Sequence, residues 1–249
     1  MSPVSIKTEN EINLIREGGR KLGEVLRAVA AAVKPGITTG ELNALAEKLI
    51  RAAGGEPSFL GYKGYPASLC TSVNEEVVHA IPGERILRQG DIIGLDIGMR
   101  YQGFCTDTAV TVPVGVIDQE TTKLLSVTKE ALNRGIAQVR AGARLGDIGA
   151  AIQRIIEKNG FGVVRDLVGH GIGKEVHEEP QIPNYGKEGM GMVLQEGMVI
   201  CLEPMVTRGN YEVTLEPDGW TVITKDGSKS AHFEHTIAVL SSGFEILTK

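Results

Sequence analysis

Two stretches of this 249-residue chain repeat one another at a fixed spacing. Val33–Gly54 reads VKPGITTGELNALAEKLIRAAG, and Val139–Gly160, 106 positions later, reads VRAGARLGDIGAAIQRIIEKNG. Gly36, Gly40, Ala44, Ile50 and Gly54 match Gly142, Gly146, Ala150, Ile156 and Gly160. In the first copy Thr38 and Glu41 have capping-box spacing ahead of Leu42, Leu45 and Leu49, and Gly54 supplies the stop. An earlier helix is expected over Glu11–Val33, where Ile15, Leu22, Leu26, Val29 and Val33 recur at helical spacing, with Lys34-Pro35-Gly36 ending it. Each half therefore reads helix, turn, helix, then strands.

The match runs on through the strands. Val78-His79-Ala80-Ile81-Pro82 resembles Val176-His177-Glu178-Glu179-Pro180. LRQGDIIGLD, ending at Asp96, resembles LQEGMVICLE, ending at Glu203, and Asp107 has a counterpart in Glu234 on the last strand. The expectation is an α+β fold: one domain over residues 1–249, duplicated about a pseudo-twofold axis, with halves at roughly 11–115 and 120–245 and helices outside. A 42% hydrophobic chain of this length can bury one sizeable core.

Asp96 and Asp107 flank a Gly-containing reversal between two apolar runs, a hairpin pattern. With the turn centred between Tyr101 and Gln102, the two acids are directly opposite, with Cβ atoms roughly 5 Å apart, and like charges there repel. Either one carboxyl holds a proton or a cation sits between them. Acids in apolar strands are almost never buried unless paired or metal-bound. Any one of them alone reads as a salt-bridged or strand-end acid. Asp96, Asp107, Glu203 and Glu234, at matching places in two halves, favour the cation. His170, within Gly169-His170-Gly171-Ile172-Gly173, is a candidate nitrogen ligand, and the glycine spacing there is not a dinucleotide fingerprint. Four carboxylates and one imidazole suit a pair of Mn, Fe, Co or Zn ions, which acidify a bound water. The absence of ligand thiolates argues against a structural zinc site.

His79 and His177 are either satisfied loop histidines or imidazoles flanking the metals and donating to a carbonyl. His232 and His235 have no counterparts in the first half and read as structural. Phe59, Tyr62, Tyr65 and Cys70 crowd the stretch SFLGYKGYPASLC in a chain only 4% aromatic. They form either a small core under a loop or an apolar pocket for a medium-sized side chain, with Trp220, the single tryptophan, a candidate to complete it.

Net charge is −5, with no basic patch, so a nucleic-acid partner is not expected. The N-terminal thirty residues hold no signal-peptide apolar region, and no run is long enough to span a membrane. Three cysteines without CxxC spacing favour a reducing cytoplasm.

The motifs SVNEEVVHAIP, GDIIGLDIG, GFCTDTA, GHGIGKEVHEEP, EPMV and DGWTVITKDGSKSAHFEHTI resemble those of bacterial type I methionine aminopeptidases, over essentially the whole chain. The resemblance implies a pita-bread fold with a curved antiparallel sheet. It also implies metal ligation by Asp96, Asp107, His170, Glu203 and Glu234, with Asp107 and Glu234 bridging two divalent ions (Co, Mn, Fe or Zn). Catalytic roles fall to His79, His177 and Glu203. The methionine pocket falls to Phe59, Tyr62, Tyr65, Cys70 and Trp220, with His79 and His177 also touching substrate. The implied partners are nascent polypeptides with an N-terminal methionine and a small second residue, with transient ribosome contact; a monomer is expected. Three positions depart from familiar members: Phe59 for cysteine, Gly98 for threonine and Val176 for an aromatic residue. A proline-specific peptidase of the same fold, and a non-catalytic binding protein on the same scaffold, are the competing readings; the first usually carries a large N-terminal domain and the second loses ligands.

Overall fold

The computed structural model describes residues 4–249. Its helices are α1 (Glu9–Ala32), α2 (Thr39–Ala52), α3 (Gln119–Ile136) and α4 (Leu145–Lys158). α1 starts two residues before its apolar pattern because Thr8 caps it. Thr8 N–H donates to the Glu11 carboxylate at 2.8 Å, and Glu11 N–H donates to Thr8 Oγ1 at 3.3 Å. The box expected from Thr38 and Glu41 forms likewise at α2, at 2.7 and 3.1 Å. α2 and α4 have fourteen residues each and keep the 106-residue spacing. The second copy is capped differently: Arg144 stands at the N-cap, and the Asp147 carboxylate accepts from Arg144 N–H and Gly189 N–H.

The first half contributes strands β1 (Glu56–Pro57), β2 (Leu69–Val73), β3 (Glu76–Val78), β4 (Ile92–Tyr101) and β5 (Phe104–Pro113). The second contributes β6 (Gly162–Val163), β7 (Gly169–Gly171), β8 (Glu178–Ile182), β9 (Val199–Leu202), β10 (Met205–Thr207), β11 (Val213–Leu215), β12 (Val222–Thr224), β13 (Ser230–His232), β14 (Glu234–Leu240) and β15 (Gly243–Ile246). Nine of them form one sheet in the order β1-β4-β5-β14-β9-β7-β8, with β2 also beside β4 and β15 beside β14. Every pairing in it is antiparallel. The halves join where β14 meets β5, and that ladder is short: Glu234 opposes Ala109 and His235 opposes Thr108. Beyond it the Thr236 hydroxyl takes over, accepting from Asp107 N–H at 3.0 Å and donating to Asp107 C=O at 2.7 Å.

Strand alternation divides the sheet into a helix face and a cleft face. Ile93, Leu95, Ile97 and Met99 of β4 pack with Leu22, Leu26 and Val29 of α1 and Leu42 and Ile50 of α2. Ile200, Leu202, Ile237 and Val239 pack with Leu124 of α3 and with Ile148 and Ile152 of α4. Each such side chain, fully buried, contributes about 1.5–3 kcal/mol over exposure. The intervening residues Gly94, Asp96 and Gly98, with Cys201 and Glu234, are left for the opposite face.

The register differs from expectation. Gln102 (φ 50°) and Gly103 (φ 84°) form a two-residue turn between Tyr101 and Phe104. Positive φ at both positions is what a tight hairpin of matching twist requires. The turn centre therefore lies one position later than predicted. Asp96 opposes Ala109, and Asp107 opposes Gly98. The two acids are diagonal neighbours on one face, and Asp96 is in mid-strand rather than at a strand end.

Candidate metal centre and its cleft

The cleft face holds a cavity of about 760 Å³. All twelve residues singled out from the sequence line it: Phe59, Tyr62, Tyr65, Cys70, His79, Asp96, Asp107, His170, His177, Glu203, Trp220 and Glu234.

At its floor, one carboxylate oxygen each of Asp96, Asp107 and Glu234 lies within 4.8 Å of the others, and so do a ring nitrogen of His170, the Cys201 sulfur and a Glu234 oxygen. Glu234 belongs to both groups. Among the described residues, Asp96 Oδ1, Asp107 Oδ1 and Glu234 Oε1 are buried without a hydrogen-bond partner. Such orphaned oxygens are rare, and an ion answers them. Burial, before any other cause, raises the pKa of all four acids. For Asp107 the charges of Glu234, Asp96 and Glu203 add to that rise. The cluster resists ionisation unless positive charge enters it.

His170 is set up as a ligand. Its Nδ1 lies 2.9 Å from the Gly171 carbonyl, a pairing that places the ring proton on Nδ1. Nε2 then presents a lone pair toward Glu203 Oε1, 3.4 Å away. Burial lowers this imidazole's pKa to about 4, so the ring is neutral near pH 7. Two facing acceptors at that distance fit a cation between them. The donor set, carboxylates with one imidazole, suits hard to borderline divalent ions.

Two residues of this floor escaped the sequence reading. His232 is 3% exposed, and its unpartnered Nε2 lies 3.5 Å from Glu203 Oε2. The β10–β13 ladder delivers it by pairing Met205 with His232, and the Thr111 hydroxyl bonds both the N–H and the C=O of His232. No local pattern signals that long-range pairing. Cys201 opposes His170 across β7 and β9, with Sγ 3.6 Å from Thr236 Oγ1. It lies on the same strand face as Glu203, a parity legible once the run is read as a strand. His235 is on the other side, with Nδ1 3.0 Å from the Thr248 hydroxyl.

Above the floor stand the other two histidines. The Tyr62 hydroxyl lies 3.0 Å from His177 Nδ1, and the rings stack with centroids 5.3 Å apart. His177 also lies 4.3 Å, centroid to centroid, from His170. Desolvation, then His170 and His79, pushes its pKa below the ordinary range, although its cleft edge meets solvent. His79 is held at φ 61°, a conformation few non-glycine residues adopt, and burial lowers its pKa to about 4. Behind it Tyr65 packs edge-on against Trp220 at 5.1 Å and donates to Ala80 C=O. Phe59 and Cys70 are buried in the same cluster. Val176 is buried there too, at 1% exposure, and does not line the cleft. One strut reaches this wall from outside. The Lys7 ammonium, 3% exposed, pairs with Glu178 at 2.7 Å, next to His177 in the chain.

Residues 13–241 match the model of metallopeptidase family M24. The chain is 50% identical to a methionine aminopeptidase of Clostridium perfringens, over 98% of both chains. It is 49% identical to methionine aminopeptidase 1 of Bacillus subtilis, again over 98% of both. A solved methionine aminopeptidase from Thermotoga maritima superposes with a TM-score of 0.97 at 45% identity, covering 99% of this chain and all of that one. A prolidase from Pyrococcus furiosus shares the fold at 24% identity and TM-score 0.79, but this chain spans only 65% of it. The chain belongs to metallopeptidase family M24, among its methionine aminopeptidases, and folds as they do into the pita-bread form.

Proposed function

We propose that the chain hydrolyses the first peptide bond of polypeptides that begin with methionine and carry a small second residue, with two divalent ions bound at the cleft floor. The observation that carries this reading is that Glu234 stands within reach of both Asp96 with Asp107 and His170 with Cys201, while Asp96, Asp107 and Glu234 each bury an oxygen without a partner. Asp96, Asp107, His170, Glu203 and Glu234 would hold the ions, with Asp107 and Glu234 common to both; Co, Mn, Fe and Zn suit the donors. When bound, such ions supply Lewis acidity and a water acidic enough to lose a proton near neutral pH.

The side chains do the rest. Glu203, between two neutral imidazoles, takes the proton of the attacking water and returns it to the leaving amine. With Tyr62 donating to His177 Nδ1, the Nε2–H of that neutral ring turns to the cleft and donates to the scissile carbonyl oxygen as charge develops there. His79 donates from the other side. Phe59, Tyr62, Tyr65, Cys70 and Trp220 enclose the methionine side chain, whose flexible thioether suits aromatic walls. The chain acts as one catalytic domain built from two repeats. In this reading it is a cytoplasmic monomer that meets nascent chains in transient contact with the ribosome.

The deciding assay strips the protein of metal, restores Mn, Fe, Co or Zn in turn, and offers Met-Ala-Ser against Ala-Pro peptides. Metal-dependent release of methionine is expected. Faster cleavage of the proline peptide would favour the proline-specific reading, and no cleavage of either would favour a binding protein.

A further inference from the structure

Gly98 lies in mid-strand on the cleft face, opposite Asp107 and two residues beyond Asp96. Its backbone is ordinary strand, so conformation alone does not demand glycine there. Space does. A Cβ at this position would sit 2.5 Å from Phe59 Cε1 and 3.0 Å from Cδ1, and closer still to Ser58 Oγ. Gly94 provides an internal control on the same strand face: a Cβ there meets nothing nearer than 3.5 Å.

The two obstacles differ. Ser58 Oγ has no hydrogen-bond partner and is free to rotate. Phe59 is 8% exposed and belongs to the buried cluster that includes Tyr65, Cys70 and Cys105. The backbone just before it is pinned to β4, since Ser58 N–H donates to Gly98 C=O at 3.1 Å. The ring therefore occupies the room a side chain at 98 would fill, and it lines the cleft from there. We propose that Gly98 is a specificity-determining residue: by lacking a side chain it admits the Phe59 ring against the sheet, and the pair sets the wall of the pocket for the substrate's first side chain. The pocket's use rests on the methionine-removal reading above; the steric pairing does not. A side chain at 98 then acts through Phe59, not through the neighbouring carboxylates.

The test is a double-mutant cycle of Gly98→Ala and Phe59→Ala, each variant followed by thermal melting, by calorimetric titration of the metal-stripped protein with Mn, and by kcat and KM on Met-Ala-Ser. With Phe59 present, Gly98→Ala should lower Tm and raise KM about tenfold, as overpacking does. With Phe59→Ala, the same change should raise Tm, because alanine is favoured over glycine inside a strand, and should move KM less than about twofold. Mn affinity should stay constant throughout. If Gly98→Ala does not fold alone, recovery of a folded double variant supports the pairing. Equal effects in both backgrounds, or weakened Mn binding in both, would overturn it. Should the wild-type protein release no methionine, the functional reading fails, while the reversal in Tm still decides the pairing.

Discussion

A carboxyl group buried without a partner is destabilising by about 1–3 kcal/mol as a lost hydrogen bond, and more if charged. Three acids of the floor carry such an oxygen, and they stand within reach of one another. Glu203 differs, since both its oxygens face imidazoles and it lies just past the end of β9. Its proposed work as proton carrier gives a sharp expectation. Glu203→Ala should lower kcat by about 10²-fold or more while leaving the far-ultraviolet circular dichroism spectrum intact. A near-wild-type rate would remove it from the mechanism. His79→Ala should slow turnover by about 10²-fold yet leave the Mn content measured by atomic absorption unchanged. Loss of the metal in that variant would make His79 a ligand or its support instead. Much at this scale was legible, because acids at matching places in a duplicated pattern need a reason. What was hidden was non-local. His232 arrives through a strand pairing, and the strain at His79 is a property of the folded loop. Phe59 and Gly98, two separate departures in the sequence, are one contact in the fold.

Among the elements, boundaries were legible wherever a side chain encoded them. Thr38 with Glu41, and the glycines at 36 and 54, punctuate the helices where expected. The β4–β5 register was not, because it hangs on two positive φ angles in a turn. Nor was the strut from Lys7 to the loop of His177. That loop is also gripped at Gly173, where a Cβ would come 2.5 Å from Lys7 Cε. Lys7→Met leaves Glu178 without its cation, and the cost for a buried pair is about 3–5 kcal/mol, at the lower end here because Glu178 retains 15% exposure. The urea midpoint should fall and kcat with it, at unchanged metal content. Lys7→Met with Glu178→Met should regain most of the stability. If the double variant is no more stable than the single, the pair is not what holds the loop.

For the molecule as a whole, the metal-free state is electrostatically frustrated and should show it as a pH dependence. The four floor acids have raised pKa values, so at these groups the native state holds more protons near neutral pH than the unfolded chain, while the buried imidazoles, with lowered values, act oppositely below about 6.5. The acids' contribution to stability of the metal-free protein then falls as pH rises from the ordinary carboxyl range of about 4 through the raised values, and above about 6.5 no histidine opposes it. Bound cations remove that penalty and displace the protons. The rise in Tm on adding Mn should therefore be larger at about pH 8 than at about pH 5.5. Melting curves at both pH values decide it, and equal rises would contradict the charge argument. The matching α2 and α4 were readable from the 106-residue spacing, whereas the two-pair ladder that joins β14 to β5 was not.

The ammonium of Lys7 lies just ahead of α1, yet the carboxylate it grips neighbours an imidazole of the cleft. The segment before the first helix is thereby tied to a cleft wall 171 residues further along the chain. A tag placed ahead of that helix should therefore shift kcat, which comparison of tagged and untagged protein would read.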